Sequence, residues 1–178
     1  VYQINLAIAG IAVGTVSSPV LSKAFKMKNI KKISDIQNKS FELSLLFSIP
    51  ASAGLILASN EIVNALFGYG SFSLNDIEMT ATALKFFGYG VPAFALIKIL
   101  SNFYFARDNT KTPFYISISI VLLNVLISVS FFNKIGFIII PIATSISTWI
   151  GVFIYIYLLN SKKILLLKIQ LMINFIKI

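Results

Sequence analysis

The 178-residue chain is 57% hydrophobic and 12% charged, with 15 Lys and Arg against 6 Asp and Glu, and it holds no Cys and no His. A soluble domain of this size cannot hide that much apolar surface in one core, so lipid is its natural solvent. Without Cys there is no disulfide framework or thiolate site. Without His the commonest acid–base group and metal ligand is missing, which argues against an enzyme. Val1 is not an initiator Met, and the last residues stop inside an apolar run. The chain is therefore expected to be part of a longer protein.

The apolar runs predict an all-α, polytopic transmembrane helical bundle with about five full spans plus the start of a sixth. The first span covers about 1–23, followed by a basic linker to residue 39. There Met27, Ile30, Ile33 and Ile36 recur every three residues among lysines, which predicts an amphipathic helix lying on the membrane surface. The second span covers about 41–59 and contains Pro50. In the next loop Ile62, Val63, Leu66 and Phe67 make one helical face that Gly68 and Gly70 can end. Ser73 and Asp76 form an S-x-x-D cap for a long helix over 75–106, whose span is 78–105. About 32 residues make roughly 48 Å of helix against a hydrocarbon core of about 30 Å. That helix is expected to kink, tilt or project, and Gly88, Gly90 and Pro92 favour a kink. The fourth and fifth spans cover about 114–132 and 137–159, and another apolar run starts at 164.

The loops alternate in charge. The first, third and fifth hold eleven Lys and Arg together, and the second and fourth hold one, Lys134. The positive-inside rule places the basic loops in the cytoplasm. A net charge of +9 distributed in this way fits a membrane surface, and no nucleic-acid partner is expected.

Several residues stand out within this frame. Gly10 and Gly14 form a GxxxG pair suited to close helix packing, with a hinge for alternating access as the sharper reading. Lys98 lies within the third span. It either snorkels toward the inner surface or faces a polar cavity that holds an anionic substrate. Asn124, with Ser117 and Ser128, and Thr144, Ser147, Thr148 and Gly151 line faces of the fourth and fifth spans. Those faces suit interhelical hydrogen bonds or a cavity lining. No two carboxylates within a span share i, i+3 or i+4 spacing, so neither a metal site nor a cofactor site is expected. Arg107 and Asp108 form a tight charged turn after an aromatic belt and before Pro113.

That turn, FYFARDNTKTP at 103–113, resembles the FYAR-x-D-x-x-TP segment of the MurJ/MviN family of lipid II flippases. The runs IAGIAVGTVSSPVLSKAF at 8–25, LFGYGSFSLND at 66–76 and GVPAFALIKIL at 90–100 resemble other family segments, in the same order. The resemblance implies a two-lobed transporter of about fourteen helices in the multidrug/oligosaccharidyl-lipid/polysaccharide exporter superfamily. This chain would correspond to helix eight through the start of helix thirteen, with the N-terminal lobe missing. It implies flipping of an undecaprenyl-linked peptidoglycan precursor across the bacterial cytoplasmic membrane by alternating access, with membrane lipids as the surrounding partner. No covalent bond is made in such a cycle, so the family is one of transporters rather than enzymes. Lys98, Asn124, Arg107, Asp108, Gly10, Gly14 and Pro92 are the candidate substrate-path or conformational residues. A polysaccharide or multidrug exporter of the same superfamily, or a non-transporting membrane fragment, is the alternative.

Overall fold

In the computed structural model residues 7–162 and 164 are described. Among them the architecture is all-helical. A π-helical stretch, Ala7–Ala12, leads into α1 (Val13–Lys26). There follow α2 (Ile30–Leu57), α3 (Ser59–Phe67), α4 (Leu74–Phe105), α5 (Lys111–Ile135), a 3-10 turn at Gly136–Ile138, and α6 (Ile139–Ser161). By length and composition, three segments can cross a membrane: Ile30–Leu57, Leu74–Phe105 and Lys111–Ser161. The third is 51 residues long, but Gly136, at φ +73°, breaks it into α5 and α6. The expected tally of five spans and the start of a sixth is thus not reached on these criteria. Helix α1 has only 14 residues, and the apolar run from 164 lies almost wholly outside the described residues.

The helices begin and end where local chemistry dictates. Asn29 caps α2, its Oδ1 accepting from the Lys32 N–H at 3.0 Å. No breaker separates Ile30 from Phe41, so the basic stretch is the first part of the long α2 rather than a separate helix on the membrane surface. Ile33, Gln37 and Ser40 on this stretch are buried against protein. The capping box of α4 forms as its sequence predicts. Ser73 Oγ accepts from the Asp76 N–H, and Asp76 Oδ2 accepts from the Ser73 N–H at 3.0 Å. Gly68 ends α3, as its position in the sequence predicts.

Helix α4 is central: it packs against α1, α2, α3 and α6. Contacts at matched heights give the directions. Gly14 meets Asn102 and Phe25 meets Arg107, so α1 and α4 run parallel. Ser145 reaches Phe86 and Tyr155 meets Tyr104, so α6 runs parallel to both. Helix α2 runs against α4, and α5 runs against α6, where Asn124 bonds Thr144 and Ile120 abuts Gly151. The basic turns after α1, α4 and α6 therefore gather at one end of the bundle, and the loop between α2 and α4 lies at the other.

Two apolar clusters hold these ends. Leu21, Ile33, Leu100, Phe103, Tyr104, Tyr155 and Leu159 join α1, α2, α4 and α6 at the basic end. Leu55, Val63, Ile77, Ala81, Leu84 and Val91 join α2, α3 and α4 at the other. Between them α2 faces α4 with a serine at every fourth position, Ser40, Ser44, Ser48 and Ser52, all buried. One serine per turn keeps that face narrow enough for two backbones to approach closely.

Candidate functional site

The turn between α4 and α5 is locally self-supporting. The Tyr104 carbonyl accepts from the Arg107 N–H at 3.0 Å and the Asn109 N–H at 3.1 Å. Asp108 takes a positive φ of 58°, a conformation that Asp tolerates better than most residues. Asn109 Oδ1 accepts from the Thr112 N–H and so begins α5, with Pro113 in its first turn. The Arg107 guanidinium lies 4.7 Å from the centre of the Phe25 ring, a cation–π contact that ties the turn to the end of α1. Tyr104 itself is fully buried, its ring 6.0 Å from that of Tyr155. The motif thus clasps α1, α4, α5 and α6 at the basic end.

Lys98 sits on α4 with an exposed side chain. One turn further on, Asn102 covers Gly14, where an added Cβ would overlap Asn102 Nδ2. Gly10 and Gly14 are both buried. Gly14 is therefore a place where α1 and α4 meet closely. Asn102 was not legible as its partner, because only the relative rotation of two helices decides which residue covers a glycine.

Asn124 Nδ2 donates to Thr144 Oγ1 at 2.9 Å, and that hydroxyl donates to the Ile140 carbonyl at 2.7 Å. This chain of bonds joins α5 to α6. Ser128, one turn on from Asn124, keeps a buried Oγ with no partner. Lys98, Asn124 and the Arg107–Asp108 turn occupy three separate places, and no hydrogen bond or ion pair among the described residues joins them. Pro92 lies within α4 beside Gly88 and Gly90. Its surroundings bring in a residue that composition does not single out, Trp149, whose Nε1 donates to the Tyr89 carbonyl at 3.0 Å.

At the far end, Asn60, Glu61, Asn64, Leu74, Ile77 and Glu78 line an open groove of about 410 Å³. Among the described residues no group of three or more His, Cys, Asp or Glu could hold a metal ion.

Comparison with known proteins agrees with this geometry. The family model described as lipid II flippase MurJ matches residues 1–178. A probable lipid II flippase MurJ of Rickettsia prowazekii is 35% identical over 149 residues, which is 84% of this chain and 29% of that protein. One of Rhizobium tropici is 34% identical over 151 residues, 85% of this chain and 28% of that protein. A solved structure, lipid II flippase MurJ in an inward closed conformation, superposes with a TM-score of 0.77 at 33% identity. It covers 91% of this chain and 33% of that one. The chain thus spans about a third of the length of the relatives it matches. With its apolar helices it is a membrane protein, and it belongs to the lipid II flippase MurJ family.

Proposed function

We propose that the protein carrying this chain flips an undecaprenyl-linked peptidoglycan precursor across the bacterial cytoplasmic membrane. The family match over the whole chain carries this reading, with the likeness to the solved flippase beside it. The chain contributes part of the C-terminal half of a two-lobed transporter. In this reading α1, α2, α4, α5 and α6 each cross the membrane. Supporting it, consecutive long helices alternate in direction, and the lysine-rich turns share one end. An N-terminal lobe of the same protein completes the cavity, and the cycle is alternating access without a covalent step.

Lys98 has an exposed ammonium-bearing side chain partway along the central helix. A cation at that depth is costly in lipid, so it faces the cavity shared with the missing lobe and attracts the anionic headgroup. Gly10, Gly14 and Pro92 serve the packing and bending of α1 and α4. Arg107 and Asp108 hold the cytoplasmic turn, and Asn124 locks the α5–α6 hairpin.

The test is complementation with the full-length gene in cells depleted of their own lipid II flippase. Wild type is expected to restore growth, and Lys98→Ala, inserted at wild-type level, to lose it. Full rescue by Lys98→Ala refutes the role of Lys98. Failure of correctly inserted wild type refutes the substrate and turns the reading to another exporter of the superfamily.

A further inference from the structure

One turn of α4 receives side-chain hydrogen bonds from two other helices at once. Pro92 has no N–H, so the Gly88 carbonyl four residues earlier has lost its intrahelical donor. Ser52 Oγ, from α2, donates to that carbonyl at 2.8 Å. From the α6 side, Ser145 Oγ donates to the Phe86 carbonyl at 2.7 Å and Trp149 Nε1 to the Tyr89 carbonyl at 3.0 Å. The glycines make this approach possible. A Cβ on Gly88 would lie 3.0 Å from Ile56 Cγ1, and one on Gly90 would lie 2.7 Å from Ser145 Oγ.

The exposed side of α4 changes across the same turn. Before it Lys85 and Tyr89 are exposed, one helical turn apart. After it Lys98 and Phe105 are exposed, about two turns apart. Tyr89 and Lys98 are separated by about two and a half turns, so the two exposed sides are opposite. The halves of α4 therefore face different surroundings and are joined by a turn whose own ladder is broken.

We infer that the turn from Phe86 to Pro92 is a hinge of the transporter, and that Ser52, Ser145 and Trp149 are positioning residues that set its angle. The inference rests on the transport reading above and adds residues to it. With no N–H at Pro92, the turn can bend at little backbone cost. Together the outside donors hold one bend: Ser52 satisfies the Gly88 carbonyl, which lipid cannot, and Ser145 and Trp149 add second hydrogen bonds to the Phe86 and Tyr89 carbonyls. Two of them come from α6 and one from α2, so a shift of either helix against α4 is passed to the half that carries Lys98. Donors on opposing helices make the hinge responsive to its neighbours, where a proline alone would make it only loose.

The experiment uses the full-length protein in nanodiscs, on a cysteine-free background, with spin labels at Met79→Cys and Phe105→Cys. These bracket the hinge along roughly 39 Å of helix. Distances are measured by pulsed dipolar spectroscopy with and without lipid II, and flipping is measured in proteoliposomes. Wild type is expected to give two distance populations whose ratio lipid II changes. The variant Ser52→Ala/Ser145→Ala/Trp149→Phe should lose the shorter one. Its maximal flipping rate should fall about tenfold with little change in half-saturating substrate, the sum of several interhelical bonds of modest strength. Ser52→Thr, which keeps the hydroxyl, should restore most of the shorter population when replacing Ser52→Ala. A single distance in wild type, unmoved by lipid II, overturns the hinge. So does a folded triple variant with wild-type distances. If the wild type shows two populations but flips no lipid II, the hinge stands and the substrate reading falls.

Discussion

Helix α4 and the α5–α6 hairpin are both apolar enough to cross a membrane, yet α4 is covered by its neighbours whereas the outer face of the hairpin is exposed. The most apolar window of α4 has a mean hydropathy of 1.5 and is 50% buried, whereas that of residues 111–161 reaches 2.2 and is 6% buried. The less hydrophobic helix is thus the one at the centre. In water the order would be reversed. In lipid, apolar surface gains nothing by leaving hydrocarbon for protein, so packing is decided by close approach and hydrogen bonding. Helix α4 offers Gly88, Gly90, Ala93 and Ala95 to its neighbours, all buried. Helix α5 keeps Val121, Leu122, Val125, Leu126 and Val129 exposed.

The sharpest way to break this comparison is to delete a large ring from each side. Tyr104 on α4 is 0% exposed and Tyr157 on α6 is 72% exposed. Tyr104→Ala should cost about 3–5 kcal/mol, the range for emptying a buried aromatic site. Tyr157→Ala should cost about 0.5 kcal/mol or less. Denaturant unfolding of the full-length protein in micelles checks both. Equal losses would mean that the rest of the protein covers the hairpin as tightly as these helices cover α4.

A charge sharpens the same point. Val125→Lys places an ammonium midway along the outer face of α5, and the expected penalty is about 2.5–3.5 kcal/mol for membrane insertion of that helix. A translocon insertion assay comparing Val125→Lys with Val125→Ala reads it. If the two insert equally, the exposed face of α5 points to a watery or polar region rather than to lipid.

The sequence made some of this legible and hid the rest for physical reasons. The α4 capping box at Ser73 and Asp76 and the stop at Gly68 could be read because caps are local: donor and acceptor lie within four residues. The lost donor at Pro92 was legible for the same reason, since proline carries its defect with it. The start of α2 was misplaced because lysines at 28, 31, 32 and 39 suggest a surface, whereas Ile33, Gln37 and Ser40 on the other face meet α1, α4 and residue 164. Gln37 Nε2 donates to the Ile164 carbonyl at 3.1 Å. The three donors to the hinge lie 36 to 60 residues from their acceptors in sequence. No pattern of period 3.6 encodes such a pairing, and only the assembled bundle brings it together.

The smallest expected effect tests what the serine face of α2 is for. Ser52 has a partner across the interface, but the buried hydroxyls of Ser44 and Ser48 have none. A buried hydroxyl without a partner opposes folding, and removing it should be neutral or stabilising by up to about 1 kcal/mol. Ser52→Ala should instead destabilise by about 1–3 kcal/mol, because it leaves the Gly88 carbonyl unsatisfied in the interior. Thermal unfolding of the three single variants separates the cases. If Ser44→Ala and Ser48→Ala behave as expected, the selected property at those two positions is size, and the hydroxyl is incidental. A loss at either position matching that of Ser52→Ala would mean that its hydroxyl bonds to something in the full protein, and the interface would then be a polar seam rather than a narrow one.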